Sequence, residues 1–451
     1  MEQRTSPLDV TNRAILKIAV PMAAGFLTTP LVGIADTAVV GQLGDPVLIG
    51  GVAVASILLG LLLTSFNFLR SATSALTAQA HGRDDPSAET AVLLRSSLIA
   101  VVTGVAIVVL QGPVLALGLW IMSPSAAVAD ATSAYFLTRV WATPFTLLNF
   151  VFLSWLVGVD RPILCFALQS FLNLFNVALT VLFVLQYDMG VSGAALATVI
   201  AEVSTVLLTL PLLAKPVLTE RGRLLAMMFD REKLFMMMRL NADILVRSFC
   251  LQAAFAFFTR QSAQQSDAIL AANEILLHFF MVAGYFLDGF AIAVEQFVGR
   301  AMGARSKATF ERAVRLTSLW NLGQAALLSL IFFAIGHPFI DFMTPNEEVR
   351  ALCKTYLVWA ALTPLVGVAA FQMDGVFIGA TWSRDMRNSM LVSLAVMIVA
   401  YFILFPPFQN HGLWLALWIF LSLRAITLYQ RMTVRRKETF TSSQAEQVSK
   451  I

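Results

Sequence analysis

The chain of 451 residues is 58% hydrophobic and 13% charged, with a mean hydropathy of +0.78. A charged share about half that of ordinary soluble domains excludes a soluble globular protein and implies a polytopic membrane protein. The formal net charge of +4 and the pI near 9.1 fit basic residues gathered in cytoplasmic loops, so a lipid bilayer is the expected partner and nucleic acid is not.

The first apolar stretch runs from Arg13 to Gly44 and carries Pro21, Pro30 and one carboxylate, Asp36. Residues 1–12 before it lack a basic n-region, a short apolar core and a small-residue cleavage site, so this stretch is expected to stay in the mature protein. A carboxylate inside a membrane helix costs about 2.5–3.5 kcal/mol on insertion scales and usually faces a partner, a cavity or an ion path. Asp36 is therefore the first candidate functional residue; the alternative is a polar helix end at the headgroup level.

About twenty apolar residues cross a bilayer, and backbone groups in lipid must pair within their own segment, which makes each such run a helix. Twelve runs meet this requirement: 13–39, 48–80, 88–121, 126–158, 163–187, 190–214, 236–262, 268–298, 311–343, 347–380, 386–406 and 411–432. Gly112-Pro113 and His337-Pro338 are expected to interrupt their runs and start short surface or re-entering helices. The loops after spans two, four, six, eight and ten carry the basic residues, among them Arg83, Arg161, Arg221, Arg231, Arg305 and Arg387, and the tail adds Arg431, Arg435, Arg436 and Lys437. The opposite loops hold mainly acids such as Asp45, Asp130, Asp267 and Asp341. By the positive-inside rule both termini are cytoplasmic.

The chain also repeats. Gln79-Ala80-His81-Gly82-Arg83 returns as Gln296-Phe297-Val298-Gly299-Arg300, and Pro144 with Gly158 returns as Pro364 with Gly379. The expected fold is all-α: twelve transmembrane helices in two six-helix bundles related by a pseudo-two-fold axis along the membrane normal, with a binding cavity between the halves. The expected divisions are an amino-terminal bundle at 1–214, a cytoplasmic linker at 215–235, a carboxyl-terminal bundle at 236–432 and a cytoplasmic tail at 433–451.

Three cysteines, Cys165, Cys250 and Cys353, sit in or beside apolar runs without CxxC spacing, and the four histidines lack ligand spacing. No metal site, disulfide framework or cofactor is expected. With no HExxH, no GxSxG and no paired intramembrane histidines, the chain does not read as an enzyme. The carboxyl-terminal half carries apolar-run charges at Asp243, Arg247, Glu274, Asp288, Glu295 and Asp374. Arg247 needs a counter-charge there, with Asp288 or Asp374 as the partner, either as a fixed ion pair or in a transport role.

The residues Asp36-Thr37-Ala38-Val39-Val40-Gly41-Gln42-Leu43-Gly44, the stretch Phe68-Leu69-Arg70 to Gln79, Asn176 with Gly190 to Thr198, and Leu287-Asp288-Gly289-Phe290 followed by Glu295-Gln296 together resemble the multidrug and toxic compound extrusion (MATE) family. Leu287 to Phe290 and Asp374-Gly375 to Thr381 resemble its DNA-damage-inducible (DinF) branch. The resemblance covers the whole chain except the two tails. It implies a multi-pass exporter of the bacterial inner membrane, expected to act as a monomer, that alternates between inward and outward openings and exchanges a small amphipathic or toxic organic compound for protons or sodium. It further implies that Asp36 couples the ion and that Asn149, Asn173, Asn176 and Thr180 form a polar cavity cluster around it. The branch commonly has a second acid at the position of Thr180, so a site of two paired carboxylates there, and with it sodium, is disfavoured.

A carboxyl that alternates between charged and neutral near neutral pH must be desolvated and must not be clamped to a fixed cation. Arg70 and Arg139 are the cations of this half that could spoil the switch. Amide and hydroxyl groups can bond either protonation state. Proton antiport is thus the favoured reading, with Pro21, which removes one backbone hydrogen bond, as the hinge about which the first helix bends when Asp36 is neutralised. Sodium coupling and a lipid-linked substrate flippase are the alternatives.

Overall fold

The computed structural model describes residues 9–42, 44–219 and 222–448. Leu43 of the first motif and Arg221 of the central loop lie outside the described residues, as do the side chains of Pro30 and Thr37. Among the described residues the regular structure is helical: α1 (Asn12–Gly41), α2 (Pro46–Ser65), α3 (Phe68–Gly82), α4 (Pro86–Val109), α5 (Gln111–Met122), α6 (Ala126–Arg139), α7 (Thr143–Gly158), α8 (Pro162–Val181), α9 (Gly190–Thr219), α10 (Leu224–Met228), α11 (Arg231–Ala263), α12 (Asp267–Gly303), α13 (Lys307–Met343), α14 (Glu347–Gly379), α15 (Ser383–Phe408) and α16 (Asn410–Val448). Among the described residues twelve helical stretches are long and apolar enough to cross a membrane, and each overlaps one of the runs expected from the sequence.

The helices start where a polar side chain can replace the missing intrahelical acceptor. Asp45 accepts from the backbone N–H of Val47 at 2.8 Å and Asp85 from that of Ala88 at 2.9 Å, each followed by a proline that is pre-set for the first helical turn. Ser266, Ser306 and Asn346 cap α12, α13 and α14 in the same way. The two proline breaks have different outcomes. The third run does divide, at Leu110, and Pro113 falls inside the first turn of α5, where its missing N–H has no helical partner to lose. Pro338 makes no break: α13 continues through it to Met343. One lost hydrogen bond a turn and a half from the helix end does not outweigh packing on α14.

Two compact units are present, one of residues 24–241 and one in which the described residues up to Ala23 join those from Ala242 onward; α1 and α11 run through both divisions. In the first unit α2 packs on α6, α3 and α4 on α7, and α8 on α9. Small residues set the closest approaches, as expected where helices have no differential hydrophobic drive to associate. A Cβ on Gly104 of α4 would stand 2.5 Å from the Cα of Pro144, and one on Gly158 of α7 would stand 2.5 Å from the Cβ of Thr77. The other unit has a core that includes Phe258 packed edge-on against Trp414 at 5.0 Å. There α16 continues well past residue 432, and Phe440 packs on Phe310.

The internal repeat is visible in the turns, in a different register from the sequence match. α3 ends at Gly82 and is followed by Asp84 at φ 54°; α12 ends at Gly303 and is followed by Arg305 at φ 52°. α7 and α14 end at Gly158 and Gly379, followed by Asp160 at φ 63° and Thr381 at φ 56°. Gly82 therefore corresponds to Gly303, one helical turn beyond Gly299. A slip of four residues keeps the same helix face, which is why Gln296-Gly299-Arg300 looks like the equivalent motif in the sequence.

Gly158→Val should lower the thermal midpoint of the detergent-solubilised protein by several degrees, from overpacking of about 1–3 kcal/mol. Gly60→Ala, where a Cβ meets nothing within 4 Å, should leave it unchanged. Melting curves followed by tryptophan fluorescence check both.

Candidate functional site

In the unit of residues 24–241, α8 presents Gln169, Asn173, Asn176 and Thr180 at spacings of four, three and four, which places them on one helix face. Two levels of that face meet α1. Gln169 Nε2 donates to Asn173 Oδ1 (3.2 Å), and Asn173 Nδ2 donates to Thr28 Oγ1 (2.7 Å). Further along, Thr180 Oγ1 donates to Asp36 Oδ1 at 3.0 Å. From Thr28 to Asp36 is a rise of about 12 Å and from Asn173 to Thr180 about 10.5 Å, so two helices running in the same sense stay in step.

Asp36 is buried, at 8% exposure, and Thr180 is fully buried beside it. Of the four cluster residues expected around Asp36, Thr180 makes the contact. Asn173 belongs to the Thr28 level, and both amide atoms of the buried Asn176 lack a hydrogen-bond partner. Asn149 of α7 bonds a second acid: Asn149 Nδ2 donates to Glu202 Oε2 at 2.6 Å and to the Glu202 backbone oxygen at 3.0 Å.

Glu202, on α9 and 6% exposed, is the candidate site residue that the sequence analysis missed. The signal was present, since one acid in the apolar run 190–214 meets the same criterion that singled out Asp36. Arg139, the last residue of α6, lies with Nη2 3.9 Å from Glu202 Oε1. Its charge also acts on Asp36, without an ion-pair contact to it among the described residues. Tyr135, one turn earlier on α6, is buried and feels the charge of both Asp36 and Arg139. Arg70 is held elsewhere, its guanidinium 5.4 and 5.5 Å from the ring centroids of Phe26 and Phe150. Asp36 is thus neither clamped to a guanidinium nor turned out of the protein.

In the other unit Arg247 pairs with Asp374, one of the two acids proposed for it from sequence. Asp374 also receives Arg424, whose Nε lies 3.3 Å from Asp374 Oδ1. Arg424 is almost fully buried and sits within the apolar run 411–432, so its charge was legible in the sequence although only the charges from Asp243 to Asp374 were singled out there. Asp288 adds a second negative charge to the surroundings of Arg424, so two acids and two guanidiniums balance there. Pro21 lies within the unbroken α1.

The MatE family profile matches this chain twice, over residues 21–182 and 244–404, one match per half. The chain belongs to the MatE family. As a MatE protein it is a multi-pass membrane transporter and not an enzyme. It is 37% identical over 423 residues to DNA damage-inducible protein F of Escherichia coli strain K12, a match covering 93% of this chain and 92% of that protein. It is 26% identical over 420 residues to the probable multidrug resistance protein NorM of Pseudomonas aeruginosa, covering 87% and 81%. Among solved structures, MATE in the bent conformation superposes with a TM-score of 0.87 at 17% identity, covering 97% of this chain and 98% of that one. A MOP superfamily transporter from Pyrococcus furiosus gives 0.83 at 18% identity, covering 97% of each. These two likenesses establish the fold of the MatE chain. Glu202 and Arg424 both fall outside the two segments matched by the family profile.

Asp374→Asn should destabilise the protein by about 3–5 kcal/mol, because it leaves the buried guanidinium of Arg424 and the half-buried one of Arg247 with one remaining acid in their surroundings. A large fall in thermal midpoint and in yield of monodisperse protein is the expected readout, while Asp36→Asn, which removes one hydrogen-bonded carboxylate and breaks no ion pair, should purify and melt close to the wild type.

Proposed function

We propose that this MatE chain exports small amphipathic, toxic organic compounds across the bacterial inner membrane by proton-coupled alternating access, with both termini cytoplasmic and Asp36 as the coupling acid. The observation that carries the reading is the setting of Asp36: a buried carboxyl whose direct partner is the hydroxyl of Thr180. A hydroxyl can donate to a carboxylate and accept from a carboxylic acid, so it serves both protonation states. The resemblance of the chain to proteins named for multidrug resistance supports an organic cargo. Asn173, Asn176 and Asn149 supply further polar groups in the same unit, and the unpartnered amide of Asn176 is suited to a substrate or water.

The proposed cycle begins with Asp36 ionised. Protonation removes its charge, weakens its hold on neighbouring donors and lets α1 bend near Pro21, where the ring removes one backbone hydrogen bond. The bend expels the compound, and release of the proton resets the helix. One charge crossing about 100 mV supplies about 2.3 kcal/mol, and about 1.4 kcal/mol corresponds to a tenfold gradient, so a single proton per cycle sustains useful export.

The test is reconstitution in sealed vesicles with ethidium as the probe, an internal pH dye and sodium-free buffer. Ethidium addition should drive proton movement in wild-type vesicles, reduced at least tenfold in Asp36→Asn and several-fold in Pro21→Ala. Proton flux undiminished in Asp36→Asn would remove the coupling role. Flux that requires sodium would select the sodium-coupled alternative, and an absence of any ion flux would select the flippase.

A further inference from the structure

In the unit of residues 24–241 two buried carboxylates and one half-buried guanidinium, on three helices, act on one another. Asp36 of α1 is bonded by Thr180, Glu202 of α9 is bonded by Asn149, and Arg139 of α6 stands 3.9 Å from Glu202. Two further features point to an unfinished arrangement. Arg139 Nη1 is buried with no hydrogen-bond partner, and so is Asn149 Oδ1. Each is a strong buried polar group with hydrogen-bonding capacity to spare, available to a water, an ion or a rearranged partner. The charge of Arg139 reaches both acids.

One guanidinium balances one carboxylate, and in an apolar surrounding the remaining carboxylate must be neutralised. We propose that Asp36, Glu202 and Arg139 act as one charge-balanced group that holds a single exchangeable proton, with Glu202 as a second acid of the coupling site. With Arg139 beside Glu202, Asp36 carries the proton. When the Asp36 O–H bond breaks, the proton passes to water, Asp36 keeps the electron pair, and the unused Nη1 of Arg139 supplies a donor for the new carboxylate. The group alternates between net charge zero and minus one, and an amphipathic cation can take the proton's place. The inference rests on the proposed role of Asp36 and names the residues that set its charge. Tyr135 on α6 is a further ionisable group acted on by Asp36 and Arg139, Arg70 on α3 is held away between Phe26 and Phe150, and α7 and α8 contribute no charged side chain.

The role predicts a rescue that a packing role would not give. In Glu202→Gln, Arg139 and Asp36 neutralise each other without a proton, so ethidium-driven proton movement in sodium-free vesicles should fall at least tenfold, although the introduced amide is isosteric with the carboxylate and can still accept from Asn149. In the double variant Arg139→Gln with Glu202→Gln, Asp36 stands alone, the alternation between zero and minus one returns, and flux should recover to within about threefold of wild type. The complementary pair, Asp36→Asn with Arg139→Gln, leaves Glu202 as the one acid and should regain flux over Asp36→Asn alone, which reads the same balance without relying on a folded Glu202→Gln protein. Wild-type flux in Glu202→Gln, or no recovery in either double variant, overturns the three-residue group and leaves Asp36 coupling standing. Undiminished flux in Asp36→Asn overturns the underlying reading first.

Discussion

A charge carried into the apolar interior of a membrane protein has to be neutralised there, and that single constraint arranges most of what is distinctive in this structure. Removing an ion from water costs several kcal/mol even after relaxation, so buried charges come in sets whose sums are small. The chain answers in two ways. In the unit that begins at Ala242, Asp374 meets Arg247 and Arg424 with Asp288 near by, two acids against two guanidiniums. In the unit of residues 24–241, two acids share one guanidinium.

The difference between even and odd sets separates structure from chemistry. An even set is satisfied without any exchangeable ion, and it ties α11, α14 and α16 together in one fixed state. An odd set is complete only with a proton or another cation, so its occupancy can follow conditions outside the protein. That contrast sets Asp36 apart from Asp374, although both are buried aspartates on membrane helices.

Helix packing supplies the second requirement, close and repeatable distances. Glycines such as Gly104 and Gly158 let α4 and α3 approach α7 closely enough to hold the helix that carries Asn149. The parallel step of α1 and α8 brings Thr180 to Asp36 two turns beyond the contact of Asn173 with Thr28. The twin turns after Gly82 and Gly303, and after Gly158 and Gly379, show that the same backbone solution was used in both halves.

The number of spans, their helical state and the suspicion attached to Asp36 were determined by the sequence, because lipid imposes length, apolarity and internally paired backbone on every crossing segment and makes a lone acid conspicuous. Pairing was decided only by the tertiary structure. Whether Arg247 met Asp288 or Asp374, whether Asn149 turned toward Asp36 or Glu202, and whether α13 survived Pro338 all depend on the register and rotation of helices against one another. Hydropathy records how well a segment suits lipid and carries almost no information about which neighbour its polar face will find. Glu202 shows the limit from both sides: its position in an apolar run was legible, but its partnership with Arg139 and Asn149 required three helices distant in the chain to be folded together.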